Sequence, residues 1–372
     1  MNWPQDILEG LKAEDNYRRL VEVKNFGAEL LIGGRRYMNF SSNDYLGLSS
    51  DTQLQREFFS QLDPQAGFLM SNPASRLITG NSTHYSRLEN TISFLFGGRA
   101  ALVVGSGYLA NSGILPTIAD KGDLILADKL VHASIIDGLK LCRAEWKRFN
   151  HNDMTHLESL LEKASGYNNI WVVTESLFSM DGDFAPLKDI DALRRRFGFR
   201  LYLDEAHAFG VRGGGLGYAA EVNVQPDIMM ATLGKAIASC GAFAVCDEAV
   251  RELLVNRMRT LIFSTALPPV NLMWSDFVLR RLAGFEPRRK HLQKLITILT
   301  DNPEASQIVP LMACDNARAL AMAEKFREAG FWTRAIRYPT VPRGKARVRV
   351  SLSAALGEED VKKFRELCSS IG

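Results

Sequence analysis

The stretch Asp227-Ile-Met-Met-Ala-Thr-Leu-Gly-Lys235 decides the fold. Residues 228–232 form a short apolar run, which is typical of a buried strand in a parallel sheet. A Leu-Gly turn then places Lys235 just beyond the end of that strand. A desolvated ammonium is costly, so a lysine at this point needs a partner or a use. One use is a Schiff base to a carbonyl cofactor, and the alternative is a solvated lysine that merely ends a strand.

Short apolar runs alternate with helical stretches from residue 100 onward, and this alternation predicts an α/β fold. The predicted strands are Ala101–Val104, Leu124–Ala127, Glu145–Phe149, Ile170–Thr174, Arg200–Leu203, Ile228–Thr232 and Ala242–Cys246. We expect a mostly parallel seven-stranded sheet with helices on both faces. Because such sheets bind ligands beyond the carboxyl ends of their strands, the residues that follow each run are candidates for a site.

The two ends of the chain predict a smaller α+β domain. Residues 5–20 suit a helix with one apolar face, formed by Ile7, Leu8, Leu11 and Leu20. Residues 346–353 alternate strictly, which predicts a strand with arginine and serine side chains on one face. We therefore expect residues 1–45 to pack with a small domain at 269–372, and residues 46–268 to form the large α/β domain. Between them, residues 71–80 suggest an irregular loop, and Thr83 is the predicted cap of a helix that ends near Phe96.

The composition argues against several classes of protein. The chain has 372 residues and a net charge of +3, which gives no indication of a nucleic-acid surface. Five scattered cysteines without a CxxC pair, and six histidines without metal spacing, predict reduced thiols, no metal site and a cytoplasmic location. Acidic residues near the N-terminus argue against a signal peptide, and no apolar run approaches the roughly 20 residues that span a membrane.

Polar or glycine-rich residues follow almost every predicted strand. Gly105-Ser-Gly-Tyr108 opens a helix whose free N–H groups could bind a phosphate, although many strand–helix junctions contain glycine. Asp204 could keep a pyridinium nitrogen protonated, or it could simply cap a helix. His132 could stack on a flat heterocycle, or it could be a satisfied core histidine, and the second alternative applies also to His207. Arg349 with Ser351 could clamp a substrate carboxylate, or could lie on a solvated edge.

The order of these elements resembles that of fold-type I pyridoxal-phosphate enzymes, and several stretches look like the α-oxoamine synthase family. The stretches are Phe40-Ser-Ser-Asn-Asp-Tyr-Leu-Gly-Leu-Ser49, Thr174-Glu-Ser-Leu-Phe-Ser-Met-Asp-Gly-Asp183, Asp204-Glu-Ala-His207, Thr232-Leu-Gly-Lys235 and Phe263-Ser-Thr-Ala-Leu-Pro-Pro269. The resemblance covers nearly the whole chain. It implies a fold-type I transferase that uses pyridoxal 5'-phosphate.

The same resemblance implies a role for each matching residue. Lys235 would carry the cofactor, Asp204 would pair with its ring nitrogen, His132 would stack on its ring and His207 would contact its hydroxyl; these four would be catalytic. Gly107, Tyr108 and Thr232 would hold the phosphate, together with Ser264 and Thr265 of a partner subunit. Glu175 and Ser179 would line the ring. The residues implied to receive substrates are Arg18, Asn43, Ser75, Arg349 and Ser351.

The implied activity is the decarboxylative condensation of L-alanine with a pimeloyl thioester, carried by coenzyme A or a carrier protein, in a homodimer with shared active sites. Three alternatives remain open: a family member that uses glycine or serine, a regulatory protein that binds the cofactor without catalysis, and a nucleotide-binding dehydrogenase. Two positions depart from the family pattern. Ser71-Asn-Pro-Ala-Ser-Arg76 replaces a glycine-rich turn, and Ala208 replaces a serine or glycine.

Overall fold

The computed structural model describes residues 3–63 and 69–371. Its strands are Lys24–Asn25 (β1), Glu29–Ile32 (β2), Arg35–Asn39 (β3), Ala100–Val104 (β4), Leu124–Asp128 (β5), Glu145–Phe149 (β6), Ile170–Glu175 (β7), Arg200–Asp204 (β8), Ile228–Thr232 (β9), Ala242–Cys246 (β10), Ile308–Cys314 (β11), Phe331–Trp332 (β12), Arg334–Ile336 (β13) and Ala346–Ser351 (β14).

The α-helices are Trp3–Ala13 (α1), Thr52–Ser60 (α2), Thr83–Leu95 (α3), Gly107–Ile118 (α4), Ala133–Leu141 (α5), Met154–Glu162 (α6), Leu187–Phe197 (α7), Tyr218–Glu221 (α8), Glu248–Arg257 (α9), Arg259–Ile262 (α10), Pro269–Leu279 (α11), Glu286–Thr300 (α12), Asn316–Glu328 (α13) and Glu358–Ile371 (α14). A π-helical turn lies at Arg76–Gly80, and 3-10 turns lie at Gly213–Gly215 and Leu282–Phe285.

All seven predicted strands of the large sheet are confirmed, in the order β4-β10-β9-β8-β7-β5-β6. The pairs among β5, β6, β7, β8 and β9 are parallel, whereas β10 is antiparallel to both β4 and β9. Strands β9 and β10 are antiparallel because the connection at residues 233–241 is too short for the crossover that a parallel pair requires. The carboxyl ends of all the other strands therefore meet at one edge of the sheet.

Helices cover both faces of this sheet, as predicted. On one face, α4 and α5 pack Ile114 and Ile135 against strand side chains such as Ile125. On the other face, α6 and α7 bury Leu157 and Ile190 against the alternate side chains of the same strands. The strand cores read as continuous apolar runs because they are buried on both sides.

The chain divides into two compact units. The first contains residues 1–50, 179–182 and 287–372, and the second contains residues 51–178 and 183–286 with the seven-stranded sheet. In the first unit, β1-β2-β3-β12 form one sheet and β11-β14-β13 form another. The contact pattern thus assigns residues 269–286 to the unit with the large sheet, whereas the predicted boundary placed them in the small domain; the predicted domain limits stay a prediction.

Three local predictions are wrong. The first helix ends at Ala13 and not near residue 20, because Asp15 takes a left-handed φ of 54° and breaks the helical turn; Leu20 is then fully exposed. The cap of α3 is Ser82, one residue before the predicted Thr83. The loop at residues 71–80, predicted as irregular, contains the π-helical turn.

Candidate active site

The carboxyl ends of the parallel strands surround a cavity of about 190 Å³ within the second unit. The start of α4, the turn after β5 and the residues that end or follow β7, β8 and β9 form its walls. Asn111, Ser134, Ala206 and Met230 line it. The cavity also brings together predicted cofactor residues from across the sequence, which are Gly107, Tyr108, His132, Glu175, Asp204, His207, Thr232 and Lys235.

Lys235 is half-buried in the connection between β9 and β10. Its Nζ lies 2.8 Å from Nε2 of His207, a ring that is itself 5% exposed. Leu233 N–H donates to the carbonyl of Gly241, which closes the base of the connection at 2.9 Å. The solvated strand-end alternative is therefore wrong, because the amine is directed into the cavity and contacts an imidazole nitrogen.

Asp204 presents a buried carboxylate at the end of β8, 4% exposed. Its Oδ1 accepts a hydrogen bond from Ala206 N–H at 2.8 Å, and its Oδ2 accepts one from Asn111 Nδ2, also at 2.8 Å. The Oδ1 of Asn111 in turn accepts from the Tyr202 hydroxyl at 2.6 Å. This chain of partners fixes the carboxylate in one orientation.

Asn111 was missed by the sequence analysis. It lies one helical turn after Gly107 in α4, so the glycine-rich opening of that helix places its side chain near the cavity. A buried asparagine in an otherwise apolar helix is the available signal, because a buried amide needs partners. Its contact with Asp204 spans 93 positions of sequence and could be found only in the structure.

His132 caps α5 and lines the cavity. Its Nδ1 accepts the backbone N–H of Ser134 at 3.2 Å, so the proton of the neutral ring sits on Nε2. Burial lowers the pKa of His132 and the Lys235 charge lowers it further, while Asp204 opposes the shift. A neutral, flat ring at this position suits stacking on a heterocycle.

Glu175 ends β7 and is 2% exposed, with Oε1 buried and lacking a hydrogen-bond partner among the described residues. Burial raises the pKa of Glu175 well above its usual range, and the charge of Asp204 raises it further; Lys235 and the backbone N–H of His132 oppose the shift. Burial and the neighbouring Asp204 thus favour the neutral form of Glu175.

The N-terminus of α4 forms the part of the cavity that is suited to a phosphate. The N–H groups of Gly107 and Tyr108 belong to the first turn, where the helix offers no internal acceptor. Thr232 lies close enough that a Cβ on Gly107 would stand 3.8 Å from its side chain. The N-terminal end of the helix dipole favours an anion there.

Three predicted residues of the second unit, all within its described part, do not line this cavity: Ser75, Ser264 and Thr265. Ser75 and Thr265 instead pair with each other in an antiparallel bridge, and Ala266 N–H donates to Ala74 O at 2.9 Å. The structure therefore joins these two segments to each other and not to the cavity of their own chain.

Two predicted substrate residues of the first unit, Asn43 and Ser351, contact a third, Arg349 on β14, which is 8% exposed. Its Nε donates to the Ser179 carbonyl and its Nη1 to Ser351 Oγ, both at 2.6 Å. Both terminal nitrogens also reach Asn43 Oδ1 at 3.3 Å, and Nη2 lies 3.5 Å from the Tyr45 hydroxyl. The solvated-edge alternative is wrong, because β14 is the middle strand of its sheet and is buried along its whole length.

Arg18, also in the first unit, is exposed and donates from Nη2 to Thr340 Oγ1 at 2.9 Å. No local sequence pattern relates these two positions, which lie 322 residues apart.

The residues around the cavity fit a flat ring that carries a basic nitrogen, an aldehyde and a phosphate. Lys235 offers an amine for the aldehyde, Asp204 a carboxylate for the nitrogen and α4 an N-terminus for the phosphate. Within residues 3–63 and 69–371, no cluster of three histidine, cysteine or acidic side chains could hold a metal ion. In the same ranges, the helices are too short or too polar to cross a bilayer.

Comparison with known proteins gives consistent results. The family model for aminotransferase class I and II matches residues 35–367. A putative 8-amino-7-oxononanoate synthase of Haemophilus influenzae is 45% identical over 96% of this chain and 97% of its own. The 8-amino-7-oxononanoate synthase of Chlorobaculum parvum is 44% identical over 98% and 97%.

Solved structures agree with these relatives. A serine palmitoyltransferase from S. paucimobilis superposes with a TM-score of 0.90 at 25% identity, covering 100% of this chain and 97% of its own. The 8-amino-7-oxononanoate synthase of Francisella tularensis superposes with a TM-score of 0.75 at 29% identity, covering 90% and 97%.

Proposed function

The chain belongs to the class I and II aminotransferase family and, within it, to the 8-amino-7-oxononanoate synthases, which are pyridoxal-phosphate-dependent α-oxoamine synthases; from this premise we propose that it condenses L-alanine with a pimeloyl thioester, releases CO2 and so serves biotin biosynthesis. Its cofactor is pyridoxal 5'-phosphate and it is an acyltransferase. The observation that carries the proposal is that Lys235, His207, Asp204 and His132 converge on one cavity.

Each residue of the cavity has a distinct task in this proposal. Bound pyridoxal phosphate supplies an electron sink for a carbanion at the α-carbon of the amino acid. Lys235 would hold the cofactor, and its free Nζ, once the amino group of L-alanine has replaced it there, would take the α-proton as a general base. His207 supports that task, because its Nε2 lies 2.8 Å from the amine and can share a proton with it. Asp204 would stabilise a proton on the ring nitrogen, and His132 would stack on the ring.

Other residues of the cavity and its surroundings would hold the cofactor in place. Gly107, Tyr108 and Thr232 would bind the phosphate, and Glu175 would line the ring in its neutral form. We assign Ser179 to the ring as well, on the family resemblance. Its carbonyl accepts a hydrogen bond from Arg349 Nε at 2.6 Å.

We assign the substrates to the residues of the first unit. Arg349, with Asn43 and Ser351, would receive the carboxylate of the amino acid, since a guanidinium fork binds a carboxylate with two parallel hydrogen bonds. Arg18 is exposed and would receive the acyl substrate together with Thr340. Ser75 is assigned to the substrates on the family resemblance alone.

The purified protein should convert L-alanine and a pimeloyl thioester to 8-amino-7-oxononanoate, with glycine and L-serine much poorer. Mass spectrometry of the product and CO2 release measure this directly, with pimeloyl-coenzyme A and a pimeloyl carrier protein as parallel donors. Faster reaction of glycine with an acetyl thioester, or of serine with a long-chain one, would assign the chain to another activity of the same family.

Arg349→Lys provides a variant arm for this assay. It keeps the charge but loses the fork, so we expect the KM for L-alanine to rise about tenfold or more while the absorption of the bound cofactor stays unchanged. Arg347→Lys is the matched control on the same strand, because Arg347 contacts Asp181 and the Met180 carbonyl. Equal effects of the two substitutions on the KM would remove Arg349 from the substrate site.

We further propose that two chains form a homodimer in which Ser264 and Thr265 complete the phosphate site of the neighbour. Two observations support this. Neither residue lines the cavity of its own chain, and large exposed apolar side chains lie near the paired segments in the sequence, namely Leu69, Met70, Leu77, Ile78 and Phe263. Such a concentration of exposed apolar surface is typical of an interface. The five scattered thiols support a cytoplasmic location.

The dimer is testable by analytical ultracentrifugation. Ile78→Asp places a charge among these apolar side chains and should shift the protein toward a monomer with at least about tenfold lower turnover. Leu141→Asp, at a leucine that is also largely exposed at the end of α5, is the control and should leave the assembly intact. A fully active wild-type monomer would contradict the proposal.

A further inference from the structure

His151 lies at the same edge of the large sheet as the cofactor cavity but has no part in the function proposed above. It follows β6 directly, and its ring joins two acidic side chains. Nδ1 lies 3.0 Å from Asp128 Oδ1, and Nε2 lies 2.7 Å from Asp183 Oδ2. Phe178 packs edge-on against the ring at 4.4 Å between centroids. Both ring nitrogens are thus engaged, and the ring can donate to both carboxylates only when it is an imidazolium.

The charge state agrees with this geometry. Burial by itself lowers the pKa of His151, but the hydrogen bonds and charges of Asp128 and Asp183 outweigh burial and raise the pKa to about 10. A fixed cation therefore sits between two carboxylates at neutral pH. The Asp128 side chain has no exposed surface, so this cation is what neutralises it within the described part of the chain.

Asp128 connects His151 to the cofactor site. It ends β5, and its Oδ1 also accepts the N–H of Leu130 at 2.8 Å, while Oδ2 accepts the N–H of Asn152 at 2.9 Å. The first of these bonds shapes the turn that leads to His132, four residues after Asp128. The charge of Asp128 also reaches the cavity, because it contributes to the raised pKa of Glu175.

Asp183 connects the same ring to a second segment near the cavity. Its backbone carbonyl accepts from Phe178 N–H at 3.0 Å, and Leu177 pairs with Phe184 in an antiparallel bridge. These contacts close a hairpin directly after β7, the strand that ends at Glu175. His151 therefore ties the turn after β5 to the hairpin after β7.

We infer that His151 is a positioning residue for His132: by holding Asp128 and Asp183 together, it sets the turn that places the His132 ring against the cofactor. This inference rests on the proposed contact of His132 with the cofactor. Without the imidazolium, Asp128 keeps two backbone donors but loses its compensating charge, and the turn is free to relax. The His132 ring would then stack less well, although no atom of the cavity has been removed.

A double-mutant cycle on the holoenzyme tests this inference. The variants are His151→Gln, His132→Ala and the two combined, and the readouts are the Kd for pyridoxal phosphate and the visible circular dichroism of the bound cofactor. We expect His151→Gln alone to raise the Kd about tenfold and weaken the dichroic band. In the His132→Ala background the same substitution should change the Kd by less than about twofold. His156→Gln is the matched control, because that ring bonds Asn150 N–H but neither carboxylate.

The outcomes separate the inference from the function on which it rests. An equal weakening in both backgrounds would mean that His151 supports the fold in general and would overturn the inference. An unchanged Kd for pyridoxal phosphate in His132→Ala alone would overturn the role of His132 and the inference with it, whereas failure of the wild-type protein to use L-alanine would overturn the proposed activity and leave these Kd comparisons valid. If His151→Gln does not fold, Asp183→Asn replaces it: a rise in Kd that disappears in the His132→Ala background supports the inference, and no rise overturns it.

Discussion

Lys235→Ala should lose turnover by a factor on the order of 10³ or more, because it removes both the covalent anchor of the cofactor and the general base. The wild-type protein should show a visible absorption band that borohydride abolishes, with the reduced cofactor recovered on the peptide that contains Lys235. The variant should show no such band. Lys235 lines the cavity, and its half-buried amine beside His207 is available for the covalent bond to the cofactor.

Lys129→Ala is the matched control for this experiment. Lys129 also follows a strand at the same edge of the sheet, but its side chain is exposed. The control should keep the band and most of the turnover. Recovery of the cofactor on any lysine other than Lys235 would show that the site is assigned wrongly.

Asp204→Asn should lower turnover by a factor on the order of 100 or more and leave the cofactor bound. The amide keeps the shape of the carboxylate but cannot stabilise a positive ring nitrogen, so the carbanion loses its electron sink. The partners of Asp204 are Asn111 and the Ala206 N–H, and the oxygen of the new amide can still accept from one of them. Steady-state turnover and cofactor absorption, measured on the same sample, distinguish a slower reaction from a loss of bound cofactor.

Glu175→Gln is the comparison variant for Asp204→Asn, because it changes a second buried acid of the same cavity. Because burial and Asp204 raise the pKa of Glu175, its neutral form is already favoured, and an uncharged amide should cost less than about tenfold in turnover. Similar losses in the two variants would contradict the assignment of Asp204 as the charged partner of the ring. Near-normal turnover in Asp204→Asn would do the same.

The sequence predicted the large sheet well because its strands are buried on both faces. Runs such as Ile228–Thr232 and Ala242–Cys246 are so uniformly apolar that few other environments suit them. The direction of a strand is harder to predict, because no residue pattern within Ala242–Cys246 indicates that this strand runs antiparallel. Only the shortness of residues 233–241 carries that information.

The site was predictable wherever one residue sits at one strand end, as Lys235 and Asp204 do. It was not predictable where function depends on distant partners. The contacts of Asn111 with Asp204, and of His151 with Asp183, join positions that no local pattern relates. In the first helix, by contrast, a local pattern misled the prediction. Its apolar spacing continues to Leu20, but the backbone turns at Asp15.

The antiparallel return of β10 has a consequence for how Lys235 moves. In a crossover loop the backbone around a reactive lysine could drift between conformations. Here the connection is a hairpin, with Leu233 N–H bonded to Gly241 O and Ser239 N–H bonded to Leu233 O, each at 2.9 Å. The Trp274 indole N–H secures its far side by donating to Ala238 O at 3.0 Å. These hydrogen bonds restrain the main chain, so the movement of the amine between substrate and resting position depends mainly on rotation about the side-chain bonds of Lys235, and little backbone entropy is lost in each cycle.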